Sequence, residues 1–427
     1  MVIFLLSPFF FYVFFYFSTD NLMLSRKIGK ILIIKKSQKI RVGGIGMREV
    51  VIVAAARTAV GKRKGALATT RADDLAAEVL AEVVRRATIE KGQVEDVILG
   101  CVTQTAEQAG NVARSALLIA GFPVHVPGVT IDRQCGSSQQ AVHFASQAIL
   151  AGDMDIVIAG GVESMTRMPM GSNYLDTKPS EKLTAQHEII HQGLSAERIA
   201  AQWGFSAEKL NDYALDSHKR ALAAIAAGHF KKEIVGVDVT TDEGIKHFDT
   251  DEGPRANTTR ESLAELKTVF KEDGVITAGN ASQMSDGASA VVLMSSDKAK
   301  ELGIKPLARI VARSVVGSDP TLMLTGPIAA TEKVLQKAGL TINDMDTYEV
   351  NEAFAPVPLA WLKDTGADAS KLNVDGGAIA LGHPLGATGT KLLTTMLYRM
   401  HRENQRYGLL AICEGMGMAN ATIIEKL

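Results

Sequence analysis

Val129-Thr130-Ile131-Asp132-Arg133-Gln134-Cys135-Gly136-Ser137-Ser138 decides how this chain is built. Val129 to Asp132 has the composition of a strand end, and from Ser137 to Leu150 the apolar positions Val142, Ala145, Ala148 and Ile149 recur at helical spacing. The stretch is therefore a strand-to-helix turn with Cys135 at the helix N-terminus. Unpaired N–H groups and the positive end of the helix dipole stabilise a thiolate there, so the expectation is a thiol pKa below its ordinary value. Gly136 is expected to let a substrate approach the backbone closely. A buried structural cysteine looks the same locally, so the reading turns on the rest of the chain.

Working outward, Val50 to Ala55, Val97 to Cys101, Val129 to Asp132 and Asp155 to Ala159 read as strands, with a helical pattern at Asp73 to Arg86 between them. A second series follows at Ala308 to Val316, Thr347 to Val350, Leu372 to Asp375 and Leu409 to Cys413, with a helix at Thr331 to Ala338. Alternating strands and helices predict an α/β fold in mixed layers. The shared order and spacing of the two series predicts two similar halves packed back to back. Between about Met168 and Phe270 the pattern loosens, apart from a long helix from the N-cap Ser206 to Ala227.

Two further stretches stand beside Cys135 as candidates. Gly382-His383-Pro384-Leu385-Gly386-Ala387-Thr388-Gly389 places a histidine in a glycine-rich loop, where a neutral imidazole can take a thiol proton or donate to an oxyanion. Cys413-Glu414-Gly415-Met416-Gly417 follows the apolar run Leu409 to Ile412, so Cys413 ends a strand at a glycine turn. The first half supplies Cys135 and the second supplies His383 and Cys413, which places a site between them. Together they offer a nucleophile, an activator and a second acid/base.

From Met47 to Leu427 the chain resembles the thiolases. The resemblance rests on Cys135-Gly136-Ser137-Ser138, Gly160-Gly161-Val162-Glu163-Ser164-Met165, Thr277-Ala278-Gly279-Asn280-Ala281-Ser282, Asn351-Glu352-Ala353-Phe354-Ala355, Gly382-His383-Pro384-Leu385-Gly386 and the Cys413 turn, in that order. It implies a thiolase-like division: residues 47–168 with 271–300 as one half, 301–427 as the other, and 169–270 as an inserted loop domain covering coenzyme A. It also implies acyl transfer through a thioester on Cys135, activated by His383, with Cys413 donating and accepting protons. One oxyanion site would combine His383 with a water held by Asn351; the other would use the backbone N–H groups of Cys135 and Gly415. Asn351 is otherwise a capping residue for the helix expected to begin at Glu352-Ala353-Phe354. His191 and Ser282 match positions near the pantetheine, and Arg255 with Lys62-Arg63-Lys64 is suited to the coenzyme's phosphates. Many thiolases have three consecutive glycines after the second cysteine, whereas this chain has Gly415-Met416-Gly417, which adds bulk near the acyl pocket.

The resemblance implies coenzyme A and acyl-CoA as substrates, no permanently bound cofactor, and a homodimer or homotetramer. Cys-Gly-Ser-Ser is closer to the degradative branch, so the expected reaction is reversible thiolysis of a 3-oxoacyl-CoA, of the kind used in fatty-acid β-oxidation. Acetoacetyl-CoA formation by an acetyl-CoA acetyltransferase is the alternative. A carrier-protein condensing enzyme lacks a second catalytic cysteine, which Cys413 argues against. A non-catalytic acyl-CoA or lipid-binding relative would not be expected to retain Cys135, Asn351, His383 and Cys413.

Composition narrows the field further. With 46 basic and 47 acidic residues among 427, the net charge of -1 gives no electrostatic case for nucleic acid. Three cysteines without a C-x-x-C pair argue against a disulfide framework or a zinc site, and Cys101 reads as a small core residue. No G-x-x-x-x-G-K-[ST] phosphate loop is present.

Residues 1–46 differ in character from all that follows. Seven of the 14 phenylalanines fall between Phe4 and Phe17, and Lys and Ile dominate Lys27 to Ile40. Val2 to Phe17 is shorter than the roughly 20 residues of a spanning helix and contains Pro8. Its basic residues follow the apolar run rather than preceding it, contrary to an export signal. The expectation is that translation starts at Met47 and that the protein is cytoplasmic rather than membrane-bound.

Overall fold

The computed structural model describes residues 48–241 and 243–427, so the expectations for residues 1–46 lie outside the described residues. The continuous path through its 11-stranded main sheet follows β1 (Val50–Thr58), β2 (Asp96–Gly100), β3 (Gly128–Ile131), β4 (Ile156–Ser164), β5 (Ser285–Ser295), β6 (Ala308–Gly317), β7 (Thr347–Val350), β8 (Tyr407–Glu414) and β9 (Met418–Lys426), and the two-residue strands Gly61–Lys62 and Ile234–Val235 pair off that path. Side chains alternate along each strand, and here both faces are buried, which is why these segments read as nearly continuous apolar runs. Val51 and Val53 of β1 enter one core, whereas Val50 and Ile52 enter another. In β8, Leu410 and Ile412 face the centre while Leu409 and Ala411 face the opposite side.

The spatial order is β7-β8-β9-β6-β1-β5-β4-β2-β3. Within the first half, this reads third, second, fourth, fifth, first in chain order. The second half repeats it, with a single bridge at Leu372 to Tyr348 standing where the third strand would be. The halves join through β1 and β6, paired antiparallel at only Val51↔Arg309 and Ile52↔Ala308.

Four helices show the layering: α1 (Ala72–Ala87), α2 (Ser137–Ala151), α3 (Gly326–Ala338) and α4 (Thr388–Arg402). α1 covers the outer face of the first half, with Leu75, Val79 and Val83 in the core it shares with β1, β4 and β5. α3 does the same for the second half, with Ala330 and Val334 in the core it shares with β6, β8 and β9. Between the halves lie α2 and α4, sharing a core of Val142, Ala145, Leu393 and Met396. The result is five alternating layers of helix and sheet, and the N-termini of both central helices lie at the candidate site.

The inserted region carries helices Gln192–Trp203 and Ala207–Ala226 and the hairpin Val237–Thr241 with Gly244–Phe248. Ser206 caps the long helix, its hydroxyl accepting from Lys209 N at 3.2 Å.

Three expectations need correction. Leu372 to Asp375 is not a strand: Ala369–Lys371 forms a 3-10 turn, Leu372 makes one bridge, and Asn373 is left-handed at φ 45°. Its amide is spent instead on β7, accepting from Val350 N and donating to Val350 O. The helix after Asn351 begins only at Pro356, so Asn351 caps nothing. β5 and β9 went unrecognised in the sequence; β5 opens with the small polar residues Ser285-Asp286-Gly287, which mask its apolar second half.

Candidate active site

Cys135 sits between β3 and α2, in a turn closed by Gly136 N to Arg133 O at 3.1 Å and Ser137 N to Gln134 O at 3.1 Å. Gln134 takes the left-handed conformation at φ 49° to make the bend. The thiol is 3 % exposed. Contrary to the expectation from the helix N-terminus, burial pushes it up to about 12, with the nearby Glu414 carboxyl adding to the shift and the residue's own N–H opposing it. Desolvation outweighs the dipole because both cysteine and helix end are shut away from water. Gly136 also has a different purpose from the one expected. A methyl group there would collide with Glu414 Oε1 and Asn420 Nδ2, so protein rather than substrate fills that space.

His383 is 4 % exposed, and burial together with the positive charge of Lys391 pushes its imidazole down to about 3. It is therefore neutral. Thr388, the first residue of α4, settles its tautomer. The Thr388 hydroxyl has one hydrogen, which it donates to Pro384 O at 2.8 Å. His383 Nδ1, 2.6 Å from the same oxygen, must then be the donor. That leaves Nε2 as an unprotonated acceptor, 3.4 Å from Asn351 Nδ2.

The loop bearing His383 is pinned across the two halves by Glu163 at the end of β4. Its carboxyl accepts from Gly386 N at 2.9 Å, from Val102 N at 2.9 Å and from Thr103 N at 3.0 Å. Gly161 permits the approach, because a methyl group there would strike the Gly386 carbonyl. Asn351 N donates to Ala411 O at 3.1 Å, and the segment that follows it is tied down from elsewhere in the chain. Ser282 N donates to Ala353 O at 3.0 Å and Ala355 N to Asn280 O at 2.9 Å, so two of the sequence motifs form a paired strap.

Cys413 is the penultimate residue of β8 and is wholly buried. Burial and the neighbouring Cys135 raise its thiol well above the ordinary value. Among the described residues, neither Cys135 N nor Gly415 N donates to a turn or side-chain acceptor. Met416 adopts φ 65°, a conformation that suits glycine, and is 42 % exposed.

A cavity of about 970 Å³ reaches Cys135, His383, Gly415 and Met416 from the surface. His191, Ser282 and Arg255 line it, as do Lys62 and Arg63; Lys64 does not. His191 caps the helix Gln192–Trp203, accepting from Gly193 N at 3.1 Å, and stacks on Phe270 at 4.9 Å between ring centroids. Cys413 and Asn351 stand behind the lining rather than in it.

Comparison with known proteins decides the family. Residues 50–297 match the thiolase N-terminal domain and residues 304–426 the thiolase C-terminal domain. The chain is a thiolase. It is 50 % identical over 395 residues to the steroid 3-ketoacyl-CoA thiolase of Mycobacterium tuberculosis, covering 90 % of this chain and 96 % of that one. With the 3-ketoacyl-CoA thiolase of Bacillus subtilis it shares 43 %, over 89 % of this chain and all of the other. The crystal structure of the Bacillus anthracis acetyl-CoA acetyltransferase superposes with a TM-score of 0.83 at 40 % identity, covering 89 % of this chain and 99 % of that one. This thiolase is accordingly an acyltransferase with the two-halved fold of its family.

Sequence reasoning missed three residues of this thiolase site. Glu163 stood inside a quoted motif without a role. Thr388 was hidden by its resemblance to an ordinary helix start, although its spacing of five from His383 was visible. Glu414, an acid between Cys413 and Gly415 at the end of an apolar run, carries no local signal of its burial.

Proposed function

We propose that this thiolase cleaves 3-oxoacyl-CoA with coenzyme A, using Cys135 as nucleophile, His383 as its activator and Cys413 as acid and base. One observation carries this reading: an imidazole with a free Nε2 shares a cavity with one cysteine, while a second cysteine lies buried behind the first. The resting thiol and imidazole are both neutral, so the proton moves as sulfur attacks. Cys135 Sγ bonds to the 3-keto carbon and its proton passes to His383 Nε2. The C2–C3 bond breaks, and the departing acetyl-CoA enolate takes a proton from Cys413. Coenzyme A then gives its thiol proton to the Cys413 thiolate and attacks the thioester carbon, and Cys135 leaves and regains its proton from His383.

The oxyanions need donors at each step, typically worth a few kcal/mol apiece. The free N–H groups of Cys135 and Gly415 suit one. His383 and Asn351, whose Oδ1 is buried without a partner among the described residues, suit the other through a bound water. Lys62, Arg63 and Arg255 at the cavity are suited to the coenzyme's phosphates, with His191 and Ser282 beside the pantetheine. Thiolysis rates over a series of 3-oxoacyl-CoA lengths test the reading. Cleavage of chains longer than acetoacetyl-CoA is expected, and activity confined to acetyl-CoA condensation would replace it with the biosynthetic alternative.

The assembly is a homodimer or a tetramer of dimers in this reading. β3 is the last strand of the sheet, and Leu118, Ile119, Val129, Phe144 and Leu150 are exposed on and around it. An unpaired edge with an apolar surround is a pairing surface. Light scattering at micromolar concentration should find no monomer. No helix among the described residues is long and apolar enough to cross a membrane, and the proposed location is the cytoplasm.

A further inference from the structure

Glu414 is the residue at this site whose presence the mechanism above leaves unexplained. It follows Cys413 directly, ends β8 and is 0 % exposed. Neither of its carboxyl oxygens has a hydrogen-bond partner among the described residues. Oε1 lies over the Gly136 Cα, in the space a side chain would take, and Asn420 Nδ2 reaches the same place while donating to Gly136 O at 3.0 Å. Asn420 Oδ1 is also buried without a partner. Glu414 Oε1 is thus packed against the residue that follows the nucleophile, and no donor among the described residues reaches it. An ionised carboxylate would bring negative charge into that setting with no donor to stabilise it.

We propose that Glu414 is a positioning residue that works as a neutral carboxylic acid packed over the Gly136 peptide, and that its deprotonation suppresses Cys135 at alkaline pH. This rests on the reading of Cys135 as the nucleophile. In the neutral form the carboxyl fills the space above Gly136, while Asn420 holds the carbonyl, so the turn bearing Cys135 stays fixed. In the ionised form it places a charge beside Sγ and opposes both the thiolate and an oxyanion at the Cys135 N–H. Burial lifts the Glu414 carboxyl to about 9, with Arg133 opposing and Asp132 reinforcing the shift, so the acid is protonated under neutral conditions. The other groups facing Cys135 are Asp132 on its own loop, Glu163 from β4, His383, and Cys413 beside Glu414 on β8. Glu163 has five donors to its carboxyl, whereas Glu414 has none among the described residues.

The experiment is the pH dependence of Cys135 alkylation by iodoacetamide in the free enzyme, with the modified cysteine located by mass spectrometry. Reading thiol reactivity alone leaves out the titration of coenzyme A. In the wild type the rate should rise with pH and then bend to a shallower slope as Glu414 ionises. Glu414→Gln keeps the shape without the charge. It should match the wild type near pH 7 and exceed it by roughly tenfold near pH 10, one pKa unit being a tenfold change. A variant already about tenfold faster at pH 7 would mean that Glu414 is ionised there, and coincident profiles at every pH would mean it does not govern Cys135; either overturns the proposal. Should the variant fail to fold, the wild-type profile decides, since an unbent unit slope to about pH 10 also overturns it. Acylation of Cys135 by acyl-CoA at pH 7 tests the nucleophile separately, so the two readings fail distinguishably.

Discussion

At the residue scale, the chemistry depends on neutral groups prevented from being anything else. His383 is poised by Thr388 through a single hydroxyl hydrogen, and Thr388→Val keeps the volume while removing the acceptor for Nδ1–H. The imidazole is then free to present Nε2–H to the cysteine, the wrong tautomer for a base. We expect kcat to fall by about 10²-fold, with KM for coenzyme A unchanged; steady-state kinetics check it. Glu349 on β7 illustrates the cost of such burial away from the site. Both its oxygens lack partners among the described residues, and burial, reinforced by Asp375 and opposed by Lys391, holds its carboxyl well above 4.5. A carboxyl raised in the folded state gives its full stability below the unfolded value and loses it as pH rises toward the folded one. Glu349→Gln lacks that loss, so it should raise Tm at pH 8, by about 1 kcal/mol or more of stability, and leave Tm near pH 4 unchanged. Thermal melts at the two pH values read the difference.

At the element scale, the loops that carry His383 and Asn351 are fixed from outside themselves. β4 supplies Glu163 for one, and the strap of Asn280 to Ser282 supplies partners for the other. Gly161→Ala should push the Gly386 carbonyl away from β4, costing about 2 kcal/mol of stability and lowering kcat more than the lost stability explains; melting and kinetics on one preparation separate the effects. Much of this was legible in the sequence. β1, β2, β3 and β7 announced themselves as apolar runs, and Ser206 marked its helix start by residue type alone. What sequence could not supply was partner identity. The Glu163 and Asn373 side chains satisfy backbone groups far away in the chain, and no local period records that. The thiol pKa was misjudged for the same reason: a helix N-terminus is local, whereas the burial that overrides it comes from β4, β8 and the His383 loop together.

At the scale of the whole molecule, the repeat of one strand order in two halves explains why the site lies where it does. Each half buries a central helix against the other, and both central helices, α2 and α4, start at the seam. The nucleophile therefore comes from one half, and the imidazole and second thiol from the other, so neither half holds the chemistry alone. The account's central claim is that division of labour, with Cys135 taking the acyl group and Cys413 moving protons. Mass spectrometry of the intact protein after mixing with an acyl-CoA tests it most directly. Cys413→Ala should accumulate a thioester on Cys135 and turn over about 10²- to 10⁴-fold more slowly, while Cys135→Ala should show no acyl adduct. A thioester formed at near-normal yield on the Cys135→Ala protein would contradict the account.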